Sequence, residues 1–259
     1  MAGGAILTGA AAAALAIFAG APAAQEDFGR RILVFSKTAG FRHASIPDGV
    51  AAIRRLGAEN GFEVDATEDA SVFDDARLEA YDAVVFLLTT GDVLDSGEQA
   101  AFERYIRSGG GFVGVHSASD TEYSWPWYGD LVGAYFANHP AIQSAVVRVA
   151  DRLHASTREL PERWARADEW YNFASNPRGK VHVLATLDEA TYSGGSMGAD
   201  HPISWCRFVH GGRSWYTGMG HTSESFSEAS FLAHLLGGVQ FAAGWPDCGQ
   251  RRTRAVPPR

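Results

Sequence analysis

The run Ala83-Val84-Val85-Phe86-Leu87-Leu88 is apolar throughout. A strand with one wet face alternates, so an unbroken run predicts a strand covered on both sides, as in a parallel sheet with helices above and below. Arg31-Ile32-Leu33-Val34-Phe35 and Gly111-Phe112-Val113-Gly114-Val115 read the same way. Between them lie helical stretches. Ile46 to Asn60 carries apolar residues at Ile46, Val50, Ile53 and Leu56 and closes on Asn60-Gly61, while Ser96 to Arg107 forms a second helix with Ser96 as its expected N-cap. Phe62-Glu63-Val64-Asp65 alternates as a short strand. Parallel neighbours need right-handed crossovers, so this alternation predicts a doubly wound α/β core of the flavodoxin-like type. With 259 residues, 46% of them hydrophobic, the chain closes one full core.

The second half is less regular. Ala145 to Val149 and Val181 to Ala185 read as strands, and Ile203 to Phe208 with Ser214 to Thr217 flank Gly211-Gly212 as a hairpin. These are expected as antiparallel additions at the sheet edge. A last helix, Ser227 to Ala243, buries Phe231, Leu232, Leu235, Leu236 and Val239. The domain therefore spans 30–243, with 244–259 as a mobile tail. Residues 1–24 form an apolar stretch ending in Ala21-Pro22-Ala23-Ala24, expected to be a signal peptide or an N-terminal anchor. Either places the domain outside the cytoplasm, periplasmic or secreted, and touching a membrane only through that segment if it stays uncut.

Charge and cysteine content exclude several classes. Twenty-two basic and 30 acidic side chains leave net −8 without a block of one sign, which offers a nucleic acid nothing to bind. Cys206 and Cys248 are too few for a disulfide scaffold; they either pair after export or leave Cys206 as a buried thiol. Gly109-Gly110-Gly111 precedes a strand instead of joining strand to helix, so no nicotinamide cofactor is expected.

In such a sheet ligands sit beyond the carboxyl ends of the strands. The residues there are polar: Ser36, Lys37, Thr38, Arg42 and His43 after the first strand, Thr89, Thr90 and Asp92 after the third, His116, Ser117, Ser119 and Asp120 after the fourth. Thr89, Thr90 and Ser119 read as turn and cap residues. His116, in Gly114-Val115-His116-Ser117-Ala118, occupies the apex of what looks like a nucleophile elbow in which imidazole replaces serine or cysteine. It can act as base, donor or metal ligand. His139 and His201 each precede a proline and read as turn residues. His154, His182, His210 and His234 are assigned to surface or core.

Five motifs, FSKTAGFRHASIPDG (Phe35 to Gly49), GGGFVGVHSASD (Gly109 to Asp120), WPWYGDLVGAYFANHP (Trp125 to Pro140), DEWYNF (Asp168 to Phe173) and TGMGHTSESF (Thr217 to Phe226), resemble the ThuA, or trehalose utilisation, family. The resemblance implies a class I glutamine amidotransferase-like domain without its catalytic triad, associated with disaccharide uptake and oxidation beside sugar dehydrogenases. It carries polar family positions onto His43, His116, Glu169, Tyr171 and His221. His43, His116 and His221 with a carboxylate would suit a divalent metal such as zinc.

The expected activity is that of a carbohydrate-metabolism enzyme acting on an oxidised, keto form of a sugar or disaccharide. His116 or Glu169 would serve as base, His221 as acid, and Lys37, Arg42 or a metal as electrophile, with Asp120 available to pair with Glu169. Hydrolysis, elimination and isomerisation are all compatible. Trp125 and Trp127, with Tyr171, are expected to wall a sugar site, and Arg42 has Asp120 as an alternative partner. The rival reading is a noncatalytic sugar-binding or accessory protein working with a sugar dehydrogenase.

Overall fold

A computed structural model describes residues 29–245, together with residues 1, 3 and 4. The expected export segment, Cys248 and all of the tail after Trp245 lie outside the described residues. Trp245 itself is buried against Phe62, with ring centroids 5.1 Å apart, so the ordered chain runs past Gly244.

The elements follow in the order β1 (Arg31–Phe35), α1 (Ile46–Asn60), β2 (Glu63–Thr67), α2 (Asp75–Leu78), β3 (Ala83–Leu87), α3 (Ser96–Arg107), β4 (Gly111–Val115), α4 (Pro126–Val132), β5 (Phe136–Asn138), β6 (Gln143–Val149), β7 (Arg163–Asp168), β8 (Asn172–Phe173), β9 (His182–Asp188), β10 (His201–Val209), β11 (Gly212–Thr217) and α5 (Ala229–Ala242). The main sheet has the order β2-β1-β3-β4-β11-β10-β9-β6-β7, and β5 pairs with β8 alone. The strands β2, β1, β3, β4 and β11 are parallel, the flavodoxin-like order, and β10, β9, β6 and β7 continue the sheet antiparallel. Strands β3 and β4 are buried at every position, which is why their sequences do not alternate.

Four details differ from the sequence expectation. The segment read as an antiparallel edge, Ser214 to Thr217, lies inside β11, which pairs parallel with β4 and forms the fifth strand of the parallel core. A hairpin from β10 delivers it there in place of a crossover helix. Helix α3 is capped by Asp95 instead of Ser96: its carboxylate accepts from the amides of Gly97 and Glu98, and Glu98 returns a bond to the Asp95 amide. The last helix begins at Ala229, because Ser223–Ser227 forms a separate tight turn. Strand β7 has no counterpart in the expectation; its alternating burial is hidden in sequence because the buried positions include Arg166 and Asp168.

The antiparallel half curls back over the end of α5. Trp164 Nε1 donates to Glu228 Oε1 at 2.6 Å, Arg166 Nε to Glu228 Oε2 at 2.9 Å, and Arg166 Nη2 to Ser225 Oγ at 2.8 Å. This curl brings the carboxyl end of the edge strand β7 to the carboxyl ends of β4 and β11.

Candidate metal and acid-base centre

Strand β4 ends at Val115 and is followed at once by His116, whose φ of 52° is left-handed. That backbone costs a non-glycine residue about 1–3 kcal/mol and persists only where the surroundings enforce it. Here the Tyr216 hydroxyl donates to the His116 carbonyl at 2.8 Å and Ser119 Oγ does so at 3.3 Å. The turn aims the imidazole across the sheet toward β11. Its Nδ1 lies 2.9 Å from the Gly218 carbonyl, an acceptor only, so Nδ1 carries the proton and Nε2 turns inward.

Around Nε2 the site closes. His221 Nδ1 is 3.1 Å away and Glu169 Oε2 3.3 Å, and these two are 3.2 Å from each other. His43 completes a group whose ligand atoms all lie within 4.8 Å of one another. Its ring meets those of His116 and His221 edge to face, at centroid distances of 5.1 and 4.9 Å. Each member follows the carboxyl end of a strand: His43 after β1, His116 after β4, Glu169 after β7, His221 after β11. Ligands bound at 2.0–2.1 Å in a tetrahedron stand about 3.3–3.4 Å apart, and the triangle of His116, His221 and Glu169, with sides of 3.1, 3.3 and 3.2 Å, comes close to that spacing.

The electrostatics keep two of the four donors, His43 and Glu169, in the form that can ligate. Burial, then the charges of His116 and His221, lower the His43 pKa to about 3, which keeps its imidazole neutral and its lone pair available. Burial pushes the Glu169 carboxyl up, but hydrogen bonds to His116 and His221 and their charges outweigh it and hold the group well below the usual range. Asp120 goes the other way: burial raises it, against a 2.8 Å hydrogen bond from Tyr123 Oη.

One buried residue fixes two members at once. Asp168 Oδ1 accepts from the amides of Glu169 at 3.0 Å and His221 at 3.1 Å. Its Oδ2 accepts from the Gly220 amide at 2.8 Å and Arg166 Nη1 at 2.6 Å. Asp168 thus orients both Glu169 and the His221 loop, a role the DEWYNF motif contained without its being singled out. The structure also adds His139, whose Nδ1 lies 3.1 Å from Glu169 Oε1 and 2.9 Å from the Pro140 carbonyl, so a turn histidine reaches the site. Tyr171 covers His116, ring centroids 4.0 Å apart. His201, also read as a turn residue, is buried on β10; it bonds the Tyr171 carbonyl and the Glu189 carboxylate, both at 2.8 Å.

Other expected site residues are placed elsewhere. Lys37 Nζ donates to the Val93 carbonyl at 2.8 Å, and Arg42 forms a two-pronged pair with Glu68 at 2.7 and 2.9 Å, not with Asp120. Trp125 and Trp127 do not wall the site: they stack on each other, Trp125 bonding Glu103 of α3 and Trp127 stacking on His210 in the β10–β11 turn. Their Trp-Pro-Trp sequence serves the start of α4 and the core. Thr90 Oγ1 donates to the Phe41 carbonyl at 2.8 Å and Thr89 bonds Thr121 at 2.8 Å, so these threonines stitch the site loops together.

A family profile described as ThuA, trehalose utilisation, matches residues 31–242. A crystal structure of a ThuA-like protein from Bacteroides uniformis superposes with a TM-score of 0.70 at 25% identity, covering 89% of this chain and 95% of that one. A second, from Parabacteroides merdae, gives 0.71 at 20% identity, covering 86% and 92%. A β-galactosidase from Bacillus circulans sp. alkalophilus shares the fold alone, with a TM-score of 0.57 at 14% identity, over 85% of this chain and 32% of its own. No curated protein matches in sequence.

Proposed function

The chain belongs to the ThuA, trehalose utilisation, family, and from that premise we propose that it is an enzyme of disaccharide utilisation acting on an oxidised, keto form of a sugar or disaccharide. The observation that carries this reading is the convergence of His43, His116, Glu169 and His221 within 4.8 Å. These four residues would hold a divalent cation such as zinc, which when bound polarises a substrate carbonyl and stabilises the negative charge that develops on it. A ketone acidifies the neighbouring C–H, so the remaining requirement is a group that takes up and returns a proton.

Glu169 is held so far toward its ionised form that it supplies charge in place of basicity. Asp120, raised by burial and bonded by Tyr123, is the carboxyl suited to carry the proton. His139, on the outer oxygen of Glu169 and with its side chain 41% exposed, connects the site to solvent. Proton removal next to a ketone serves elimination, isomerisation and hydrolysis alike. With residues 1–24 read as an export signal, the reaction runs outside the cytoplasm, and a sugar dehydrogenase supplies the keto group.

The test combines elemental analysis of purified protein with incubation on an enzymatically oxidised disaccharide, followed by mass spectrometry. Near-stoichiometric metal and turnover are expected, both falling in His116→Gln and Glu169→Gln. Sugar binding without turnover in the wild type would make the protein a binding accessory. No metal after zinc is added would remove the cation from the reading.

A further inference from the structure

Five rings form a row across the site, Phe41, His43, His116, Tyr171 and Phe136, with successive centroid separations of 4.9, 5.1, 4.0 and 4.2 Å. The inner three are buried, whereas the ends reach the surface. Phe41 is 65% exposed, and at the other end Phe136 is partly exposed beside Tyr123, which is 47% exposed. Phe41 is not on a loose tip. Its carbonyl accepts from Thr90 Oγ1, the Ala39 amide bonds the Thr90 carbonyl at 2.7 Å, and Thr38 pairs with Thr90 as an isolated bridge. Tyr123 Oη donates to the Phe136 carbonyl at 3.0 Å and fixes that end too. A wet aromatic face held rigidly beside a polar centre gains stability only when an apolar surface covers it.

The same segments carry three fixed cations, and each is committed. Lys37 is bound to the Val93 carbonyl, Arg42 to Glu68, and Arg166, itself buried, to Asp168, Glu228 and Ser225. The carboxyl groups along the row are Asp120, bonded by Tyr123, and Glu169, paired with His116, His139 and His221. No guanidinium or ammonium of these segments is left for a ligand phosphate or carboxylate.

We propose that Phe41 and Phe136 are the specificity-determining residues of this site: they take the C–H faces of uncharged sugar rings, while phosphorylated and carboxylated sugars are rejected. The inference rests on the sugar reading above but not on turnover. It replaces Trp125 and Trp127 as the sugar-stacking residues.

Calorimetric and saturation-transfer NMR titrations of the full chain use trehalose and trehalose 6-phosphate as probes. Trehalose is expected to bind, and Phe41→Ala and Phe136→Leu each to weaken it about tenfold, the loss of one stacking face. Phe41→Trp should retain affinity, and the phosphate should bind at least about tenfold more weakly than trehalose through the lost charge match. Circular dichroism confirms that the variants fold. Unchanged affinity in Phe41→Ala, or phosphate binding as tight as trehalose, overturns the proposal. If neither sugar binds the wild type, the sugar reading falls with it; binding that depends on Phe41 without turnover overturns only the enzyme reading.

Discussion

Asp168→Asn removes one charge and almost no volume, yet the structure predicts a large effect. Each carboxylate oxygen receives two donors, the amides of Glu169 and His221 on Oδ1, and the Gly220 amide and Arg166 on Oδ2. An amide has only one acceptor oxygen, so in either orientation its NH2 group faces two donors in a site sealed from water. Two buried donors lose their acceptor, at about 1–3 kcal/mol each, and a buried ion pair is broken, typically at about 3–5 kcal/mol. Arg166 keeps Glu228 and Ser225, which holds the total near the lower end. We expect a loss of about 5 kcal/mol, corresponding to a fall in Tm of roughly 10–20 °C for a domain of this size. Because the same carboxylate fixes the backbone of Glu169 and His221, zinc affinity should fall about 10–100-fold. Urea unfolding followed by tryptophan fluorescence gives the first quantity, and chelator competition the second. A destabilisation below about 1 kcal/mol with unchanged zinc affinity would refute the reasoning.

Two further expectations concern the core beneath α5. His234 is fully buried, and burial lowers its pKa to about 3; in the unfolded chain an imidazole titrates near 6.5, so the unfolded state alone takes up the proton between these values. Stability is therefore complete above about pH 6.5 and falls as the pH drops toward 3, by about 4–5 kcal/mol at the limit, and His234→Leu should flatten that acid limb in urea midpoints measured at several pH values. His154, lowered to about 4 by burial, adds to the same slope. Gly237→Ala would drive a methyl into the backbone of Ala155 and Ser156, which cannot rotate away. A loss of about 1–3 kcal/mol in thermal unfolding is expected, and a neutral result would show that the 155–156 loop yields.

The parallel core was legible because burial on both faces leaves an unbroken apolar run, as in Ala83 to Leu87, and because the helices between carry a clear 3.6-residue period. Strand β7 was not, since Arg166 and Asp168 sit in it as buried charges that neutralise each other, a compensation visible only once both are placed. The direction of β11 was hidden for a related reason. A hairpin sequence says that two strands are antiparallel, but not which neighbour takes the outer edge.

At the site, the residue types and their strand-end positions were written in the chain: His43, His116, Glu169 and His221 each follow a strand, and strand ends of one sheet share an edge. Distances were not. Glu169 reaches the histidines because the antiparallel half curls over α5, and Asp168 can hold two loops only after that curl. Aromatic residues were the least informative locally, since a tryptophan beside a proline and a phenylalanine in a polar loop look alike as candidates for a wall. Packing decided that Trp125 is buried in the core with Trp127 stacked at its edge, and that Phe41 stays in water. Sequence thus determined which chemical groups the sheet edge carries, through local periodicity and strand termination. Tertiary structure alone decided which of them meet, because contact across 50 to 100 residues depends on sheet order and curvature, which no local pattern encodes.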